Sequence, residues 1–374
     1  MLTSALAPEP DPREAEEVAR ESFGLADPRA QFLPGGRVNL TFQVESGGGH
    51  FILQRLSPFF QNNEALGLNW RRIVMALTMR AAPPLAPPIF PDKEGLWLSV
   101  RPGWGGAWRL TGFRSGRPAA KNPDGAKSAA RTLGGLHQVL NSPAPVLLMP
   151  LPEGEFTNQH LASEEELIFW SDRYRGHPRQ PEIIPLWEKL TAATFELPRH
   201  PDFMDVFRLR EVVVHGDPKT DNFLEDETGE VRTVLDWDTV SLGHFLTDVG
   251  EMLRSFGADA ETEVGWATAE AVVEGYAETG PDLTSTEVEL LPAIWRALAL
   301  NLSRRYLTDA LAETYFLWDS RLYPSLFEQN RQRGEALLDL ADRILDKEMD
   351  LMEKFQAAVK RGRIRKAENY GQCG

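Results

Sequence analysis

His215-Gly216-Asp217-Pro218-Lys219-Thr220-Asp221-Asn222 is the stretch on which the reading of this chain turns, and Asp236-Trp237-Asp238 follows it one short hairpin later. Val212-Val213-Val214 leads into the first cluster and Val231 to Leu235 into the second. Short β-branched runs bounded by polar turns read as strands. Between them, Asn222-Phe223-Leu224 continues as strand, and Glu227-Thr228-Gly229-Glu230 supplies the hairpin turn. Strand ends therefore deliver two carboxylates, Asp217 and Asp236, into one cleft, with the amide of Asn222 between them. Phosphoryl transfer to a hydroxyl uses this set: one carboxylate for the acceptor's proton, and a carboxylate and an amide to hold magnesium on the phosphates.

The spacing H-x-D-x-x-x-x-N copies the catalytic-loop pattern of kinases, with Asp236 in the place of the magnesium aspartate. Asp217 is then the catalytic residue that orients or deprotonates the hydroxyl, and Asn222 and Asp236 are the metal ligands. Lys219, inside the same loop, is placed to neutralise charge developing on the transferred group. A lone H-G-D is common, and a lone Asn222 is a turn residue. Order, spacing and strand context together carry the assignment.

The chain has 374 residues, enough for two lobes with a core each. Its formal net charge of −15 argues against nucleic-acid and anionic-membrane partners, which need a basic surface. The single cysteine, Cys373, excludes internal disulfides and multi-cysteine metal sites, as expected of a cytoplasmic protein. Neither a signal pattern nor an apolar run of membrane-spanning length is found. Oligomeric state is not legible.

Upstream, Asp11-Pro12 reads as N-cap and first helical position. From Gln31 the apolar period changes to two. Leu40, Phe42 and Val44 share one face, Thr41, Gln43 and Glu45 the other, and Gly47-Gly48-Gly49 turns the chain into Phe51 to Leu56. The hairpin is entered through Gly35-Gly36, where backbone N–H groups can approach phosphates. A phosphate-binding lobe also wants a cation from the next strand paired to a helix glutamate. Phe51-Ile52-Leu53-Gln54-Arg55 has no lysine. Alternation lets Gln54 or Arg55 face the nucleotide but not both; Arg55 is the better chemical candidate, with Glu64 at the next helix start as its partner. That helix carries Leu66, Trp70, Ile73 and Leu77 on one face. Proline-rich Ala81 to Pro91 reads as connector, a second hairpin ends near Phe113, and Ser115-Gly116-Arg117 reads as hinge. The expected division is 1–113 as nucleotide-binding lobe, 114–360 as catalytic and acceptor-binding lobe, and 361–374 as a basic, frayed tail. His137, on an apolar helix face, reads as a packed histidine.

With these parts placed, the sequence resembles the aminoglycoside phosphotransferase and choline kinase superfamily, and within it the N-acetylhexosamine kinases. The likeness rests on Gly36-Arg37-Val38-Asn39-Leu40-Thr41, on Phe51 to Leu56 with its Gln-Arg, on His215 to Asn222 and on Leu235 to Val240. It continues through Asp248 and Gly250 to Arg305-Tyr306-Leu307-Thr308-Asp309. The resemblance implies an α+β, protein-kinase-like bilobal fold, with a small β-rich N-lobe and a large, mostly helical C-lobe. It implies ATP and Mg as cofactors and an N-acetylhexosamine or related sugar as acceptor. Gly35, Gly36, Asn39, Thr41, Arg55 and Glu64 would then serve the nucleotide, and Arg305, Asp309 and Asp238 the acceptor. Arg305 and Asp309, four apart on a helix, equally read as a surface ion pair. Two other readings stand beside this one: a phosphotransferase for a cationic acceptor such as an aminoglycoside or choline, and a catalytically inactive nucleotide-binding regulator.

Overall fold

The computed structural model describes residues 10–34, 38–57, 64–80, 85–100, 106–150, 164–197, 212–257 and 263–371. Helix α1 (Pro12–Glu21) opens as the sequence suggests: the Asp11 carboxylate accepts from Arg13 N at 2.9 Å and proline stands at the first turn. Strands β1 (Arg29–Leu33), β2 (Leu40–Ser46) and β3 (Gly49–Arg55) form an antiparallel meander. Gly47 and Gly48 both take positive φ, 56° and 78°, the conformation a tight two-residue hairpin turn needs. Helix α2 (Glu64–Met79) follows, then β4 (Ile89–Phe90), β5 (Ser99–Val100) and β6 (Ala107–Gly112). The sheet order is β1-β2-β3-β6-β4, with β5 also on β6, and every pairing is antiparallel.

The alternation read in the sequence sorts this sheet's two faces. Leu40, Phe42, Val44, Leu53, Trp108 and Leu110 bury against Ala15, Val18 and Ala19 of α1. Thr41, Gln54 and Arg109 stand on the opposite face. Helix α2 buries the expected stripe of Leu66, Trp70, Ile73 and Leu77. Three of these, Trp70, Ile73 and Leu77, belong to the large core of the C-terminal region, which makes α2 the seam between the lobes.

At the hinge Gly116 has φ 146°, and a Cβ there would meet Leu224 Cβ at 2.9 Å. The chain then enters β7 (Arg117–Pro118), α3 (Pro123–Asn141), α4 (Glu164–Arg173) and α5 (Gln180–Glu196). Next come β8 (Val212–Val214), β9 (Phe223–Glu225), β10 (Val231–Val234) and β11 (Ser241–Gly243). Strand β9 pairs with both β10 and β7, and β8 with β11, so the stretch from His215 to Asn222 is tied to Arg117 and Pro118 through β9. Helices α6 (Phe245–Phe256), α7 (Glu263–Thr279), α8 (Ser285–Ala312), α9 (Leu326–Asp346) and α10 (Glu348–Gly371) complete the C-terminal region. The structure departs from expectation at the end of the chain. In place of a frayed tail, the basic segment forms the last turns of α10 through Gly371, because α7 offers it acidic partners. Arg361 meets Glu274 at 2.7 Å, Arg365 meets Glu278 at 3.2 Å, and Lys366 meets Asp282 at 2.9 Å just beyond α7. Helices α9 and α10 meet at Lys347, which separates them.

Candidate active site

The loop after β8 is held by its own backbone. His215 N and Gly216 N donate to the two carboxylate oxygens of Asp248, on α6, at 2.7 and 2.8 Å. Asp248 is fully buried, and its charge is met further by His137 Nε2 at 3.0 Å; His137 Nδ1 in turn lies 2.8 Å from the Tyr276 hydroxyl. His137 is thus the packed histidine expected of it. Gly216 needs its φ of 87° and its missing side chain, since a Cβ would lie 2.4 Å from Thr239 O.

His215 joins the two acidic segments. Its Nε2 lies 2.9 Å from the Leu235 carbonyl, and its Nδ1 accepts from Asp217 N at 3.3 Å, a pattern that needs the neutral ring with the proton on Nε2. Burial pushes the imidazole pKa down and keeps it neutral. Leu235 N donates to Asn222 O at 2.8 Å, so Asp236 leaves the second strand directly beside Asn222.

Four residues named from the sequence therefore converge. Lys219 Nζ contacts Asp217 Oδ2 and stands 3.8 Å from Asp236 Oδ2. Asn222 Nδ2 donates to Asp217 O at 2.8 Å and lies 3.5 Å from Asp217 Oδ2. Burial works to raise the Asp217 pKa, but Lys219 and then Arg254 outweigh it and hold the carboxyl below the usual range. Asp236 goes the other way: burial and the neighbouring Asp238 push it up to about 6. Its backbone is also unusual, with φ 61° and ψ 68°, a left-handed conformation that costs a non-glycine residue about 1–2 kcal/mol.

This pair of ligands fits a hard divalent cation. With Nδ2 of Asn222 committed to a carbonyl, its amide oxygen remains for a cation, beside a carboxylate carrying excess negative charge. Among the described residues no group of three His, Cys, Asp or Glu side chains is arranged to hold a metal. Two protein oxygens are what magnesium takes when phosphate oxygens and water complete its shell.

Other residues named from the sequence stand elsewhere. Gly35 and Gly36 lie outside the described residues. Thr41 faces Gln54, whose Nε2 donates to its hydroxyl at 3.3 Å, and Asn39 reaches across to Asp238 Oδ2 at 3.4 Å while accepting from Ser57 N at 2.9 Å. Arg55 faces α1, where it meets Glu14 at 2.9 Å and lies over the Trp108 ring. The pairing expected with Glu64 is replaced by this one, because strand alternation sends Gln54, not Arg55, to the face opposite α1. Glu64 is exposed at the start of α2. Asp238, expected on the acceptor side, is buried against the N-terminal sheet and clasped by Arg109 of β6. Asp309 accepts from Thr314 N, Tyr315 N, Phe316 N and Asn330 Nδ2 at 2.8–2.9 Å. It fastens the chain after α8 in place of the surface ion pair that the spacing allows, while Arg305 lies over the Tyr315 ring and bonds its hydroxyl.

The residues that sequence reasoning passed over are Arg109, Glu251 and Arg254. Arg254 and Glu251, on α6, form a buried pair at 2.6 Å whose charges are felt at Asp217. Arg109 carried a usable signal: a lone cation in the apolar strand Ala107-Trp108-Arg109-Leu110 must have a buried partner.

Residues 29–282 match the model of a family described as the phosphotransferase enzyme family. Among solved structures, the chain is similar to a microcompartment-associated aminopropanol kinase, with TM-score 0.61 and 18% identity over 90% of this chain and 98% of that one. It is similar to an amicoumacin kinase solved with AMP-PNP and Ca2+, with TM-score 0.61 and 14% identity over 88% and 94% of the two chains. It also resembles a Plasmodium vivax ethanolamine kinase, with TM-score 0.59 and 13% identity over 88% and 87%. At these identities the likeness establishes the two-lobed, kinase-like α+β fold.

Proposed function

This chain belongs to the phosphotransferase enzyme family, and on that premise we propose that it moves the γ-phosphoryl group of ATP to a hydroxyl of an N-acetylhexosamine or a related sugar. The observation that carries the reading is Lys219 set between Asp217 and Asp236, with Asn222 against both the backbone and the carboxylate of Asp217. Asp217 orients the acceptor hydroxyl and takes its proton. A carboxyl held low is a weak base, which suits a loose transition state in which the hydroxyl loses its proton late. Lys219 offsets charge on the transferred group. Asn222 Oδ1 and the Asp236 carboxylate would hold magnesium, which when bound draws the phosphate oxygens together and neutralises their charge. The amicoumacin kinase was solved with an ATP analogue and a divalent cation, which supports the same cofactor pair here.

Support for a neutral acceptor comes from the charges behind Asp217. Glu251 is already matched by Arg254, and Arg305 adds a second guanidinium whose charge reaches Glu251. A cationic amine placed there meets two guanidinium groups, and the two described carboxylates there, Glu251 and Asp217, already have cationic partners in Arg254 and Lys219. The resemblance to N-acetylhexosamine kinases points the same way. The test is a coupled ADP-release assay with Mg·ATP against N-acetylglucosamine, N-acetylgalactosamine, free amino sugars, aminoglycosides, choline and amino alcohols. Turnover is expected with the N-acetyl sugars. Turnover confined to the cationic acceptors overturns the sugar assignment and leaves the phosphotransferase standing.

A further inference from the structure

Asp236 sits in the left-handed region, which aspartate tolerates better than most residues but still occupies infrequently, and such a conformation is fixed by its surroundings. On the C-terminal side the restraints are those of the catalytic loop: His215 on the Leu235 carbonyl, Asn222 O on Leu235 N, and the Thr239 hydroxyl donating to His215 O at 2.9 Å. On the other side stands Asp238, two residues on, whose carboxylate is gripped from the N-terminal sheet. Both terminal nitrogens of Arg109 reach it, Nη1 to Oδ1 and Nη2 to Oδ2 at 3.0 Å, and Asn39 Nδ2 approaches Oδ2.

Arg109 is itself held at both terminal nitrogens and across the plane of its guanidinium. Its Nη2 donates to Gln54 Oε1 at 2.7 Å, its guanidinium lies 4.4 Å from the centre of the Trp70 ring on α2, and its side chain is fully buried. A planar guanidinium with two parallel bonds to one carboxylate fixes orientation as well as distance. The strand that presents Arg109, β6, pairs with β3, the strand that carries Gln54 on the same face.

We propose that Arg109 is a positioning residue: by clasping Asp238 it ties the metal-holding turn to the N-terminal sheet and fixes the direction in which Asp236 offers its carboxylate. The proposal rests on the phosphotransferase reading. It assigns to the Gln54–Arg109 pair the ordering function that a lysine–glutamate pair has in the general kinase scheme, exercised on the metal segment and not on the phosphates. A purely cohesive ion pair between lobes is the competing explanation, and it makes a different prediction. Removing Arg109 alone strands a buried carboxylate and lowers stability under either view. Removing both charges restores stability under either view, but restores the cation site only if the pair is merely cohesive.

The experiment uses the full chain and three variants: Arg109→Met, Arg109→Lys and the double variant Arg109→Met/Asp238→Asn. Binding of AMP-PNP is measured by calorimetry with Mn2+ and again in EDTA, beside thermal melting. The double variant is expected to melt close to the parent and to bind AMP-PNP in EDTA as the parent does. With Mn2+ it is expected to bind about 10–100-fold more weakly, the range found when the support of a metal ligand is lost. Parental affinity for Mn·AMP-PNP in the double variant overturns the proposal. Should the double variant fail to fold, Arg109→Lys decides: it keeps the charge and loses the fork, and parental affinity there overturns the proposal equally. Failure of the parent to bind Mn·AMP-PNP is a separate result that overturns the phosphotransferase reading and the positioning role with it.

Discussion

Asp217 and Asp309 are both carboxylates of the C-terminal region surrounded by hydrogen-bond donors, and they differ in who the donors are. Asp309 is buried and receives three backbone N–H groups and one amide, shared over both oxygens. A carboxylate has about four acceptor sites, so the fold itself consumes this one. Asp217 meets a lysine and an asparagine side chain, and both contacts fall on Oδ2. Its partners are side chains, and in the proposed reaction Oδ1 would take the acceptor hydroxyl. A carboxylate saturated by its own main chain is a fastener; one met by charged side chains stays available as a reagent.

The sharpest way to break this contrast is to neutralise each in turn. Asp217→Asn keeps the shape and removes the base. Turnover should fall about 10²–10⁴-fold, the usual share of a positioned acid or base, while the melting temperature and AMP-PNP affinity stay near those of the parent. Turnover within a few-fold of the parent would make Asp217 another fastener. Asp309→Ala should do the reverse. It leaves the N–H groups of residues 314–316, with that of Phe316 buried, and the buried Asn330 amide without an acceptor, for a loss of about 3 kcal/mol in urea unfolding, with kcat per folded molecule unchanged. A raised acceptor KM at intact stability would return Asp309 to the acceptor site.

The same distinction explains what could be read from the sequence. The convergence of His215 to Asn222 with Asp236 was legible because it is local: both sit at strand ends whose register fixes where they point. The stripes of α2 and β2 were legible because period follows directly from backbone geometry. The fastening role of Asp309 was not legible because its partners, Thr314 to Phe316 and Asn330, are recruited after a helix ends in left-handed Glu313, an event with no pattern in the sequence. Asp238 and Arg109 are 129 residues apart, and only packing of the two lobes brings them together. The basic end of α10 looked like a tail because its acidic partners lie 84 to 87 residues upstream, on α7 and just beyond it, past the reach of any periodicity.

A smaller effect separates the two segments by pH. His215 must stay neutral to accept from Asp217 N, and burial holds its folded-state pKa below the ordinary value near 6.5. Below that value the unfolded chain takes up a proton that the folded chain refuses. Stability is therefore present above about pH 6.5 and declines as pH falls beneath it, by at most about 1.4 kcal/mol per pH unit from this one group. His215→Gln should flatten the part of the melting-temperature profile between pH 5 and 7 that the parent shows. Identical profiles would mean that the imidazole is not held neutral and that the bond to Asp217 N is not what orders the loop.

The smallest effect tests the two faces of the N-terminal sheet. Arg55 and Gln54 are adjacent, and alternation along β3 sends them to opposite sides. Gln54 goes to Arg109 and the cleft, Arg55 to Glu14 and the ring of Trp108. Arg55 is the better cation on chemical grounds alone, but a guanidinium committed to α1 on the far face cannot reach a phosphate without rotating the strand, and that would expose Leu53 and Leu40. Arg55 is buried and Glu14 partly solvated, but methionine keeps an apolar stem against Trp108 and leaves Glu14 free to turn to water. Arg55→Met should accordingly cost little stability and leave the KM for ATP within about twofold of the parent, since strand alternation outranks charge in deciding which side chain meets the nucleotide. A tenfold rise in that KM would show the strand turning its other face to the cleft when ATP is bound, and the division of the sheet drawn here would have to be reversed.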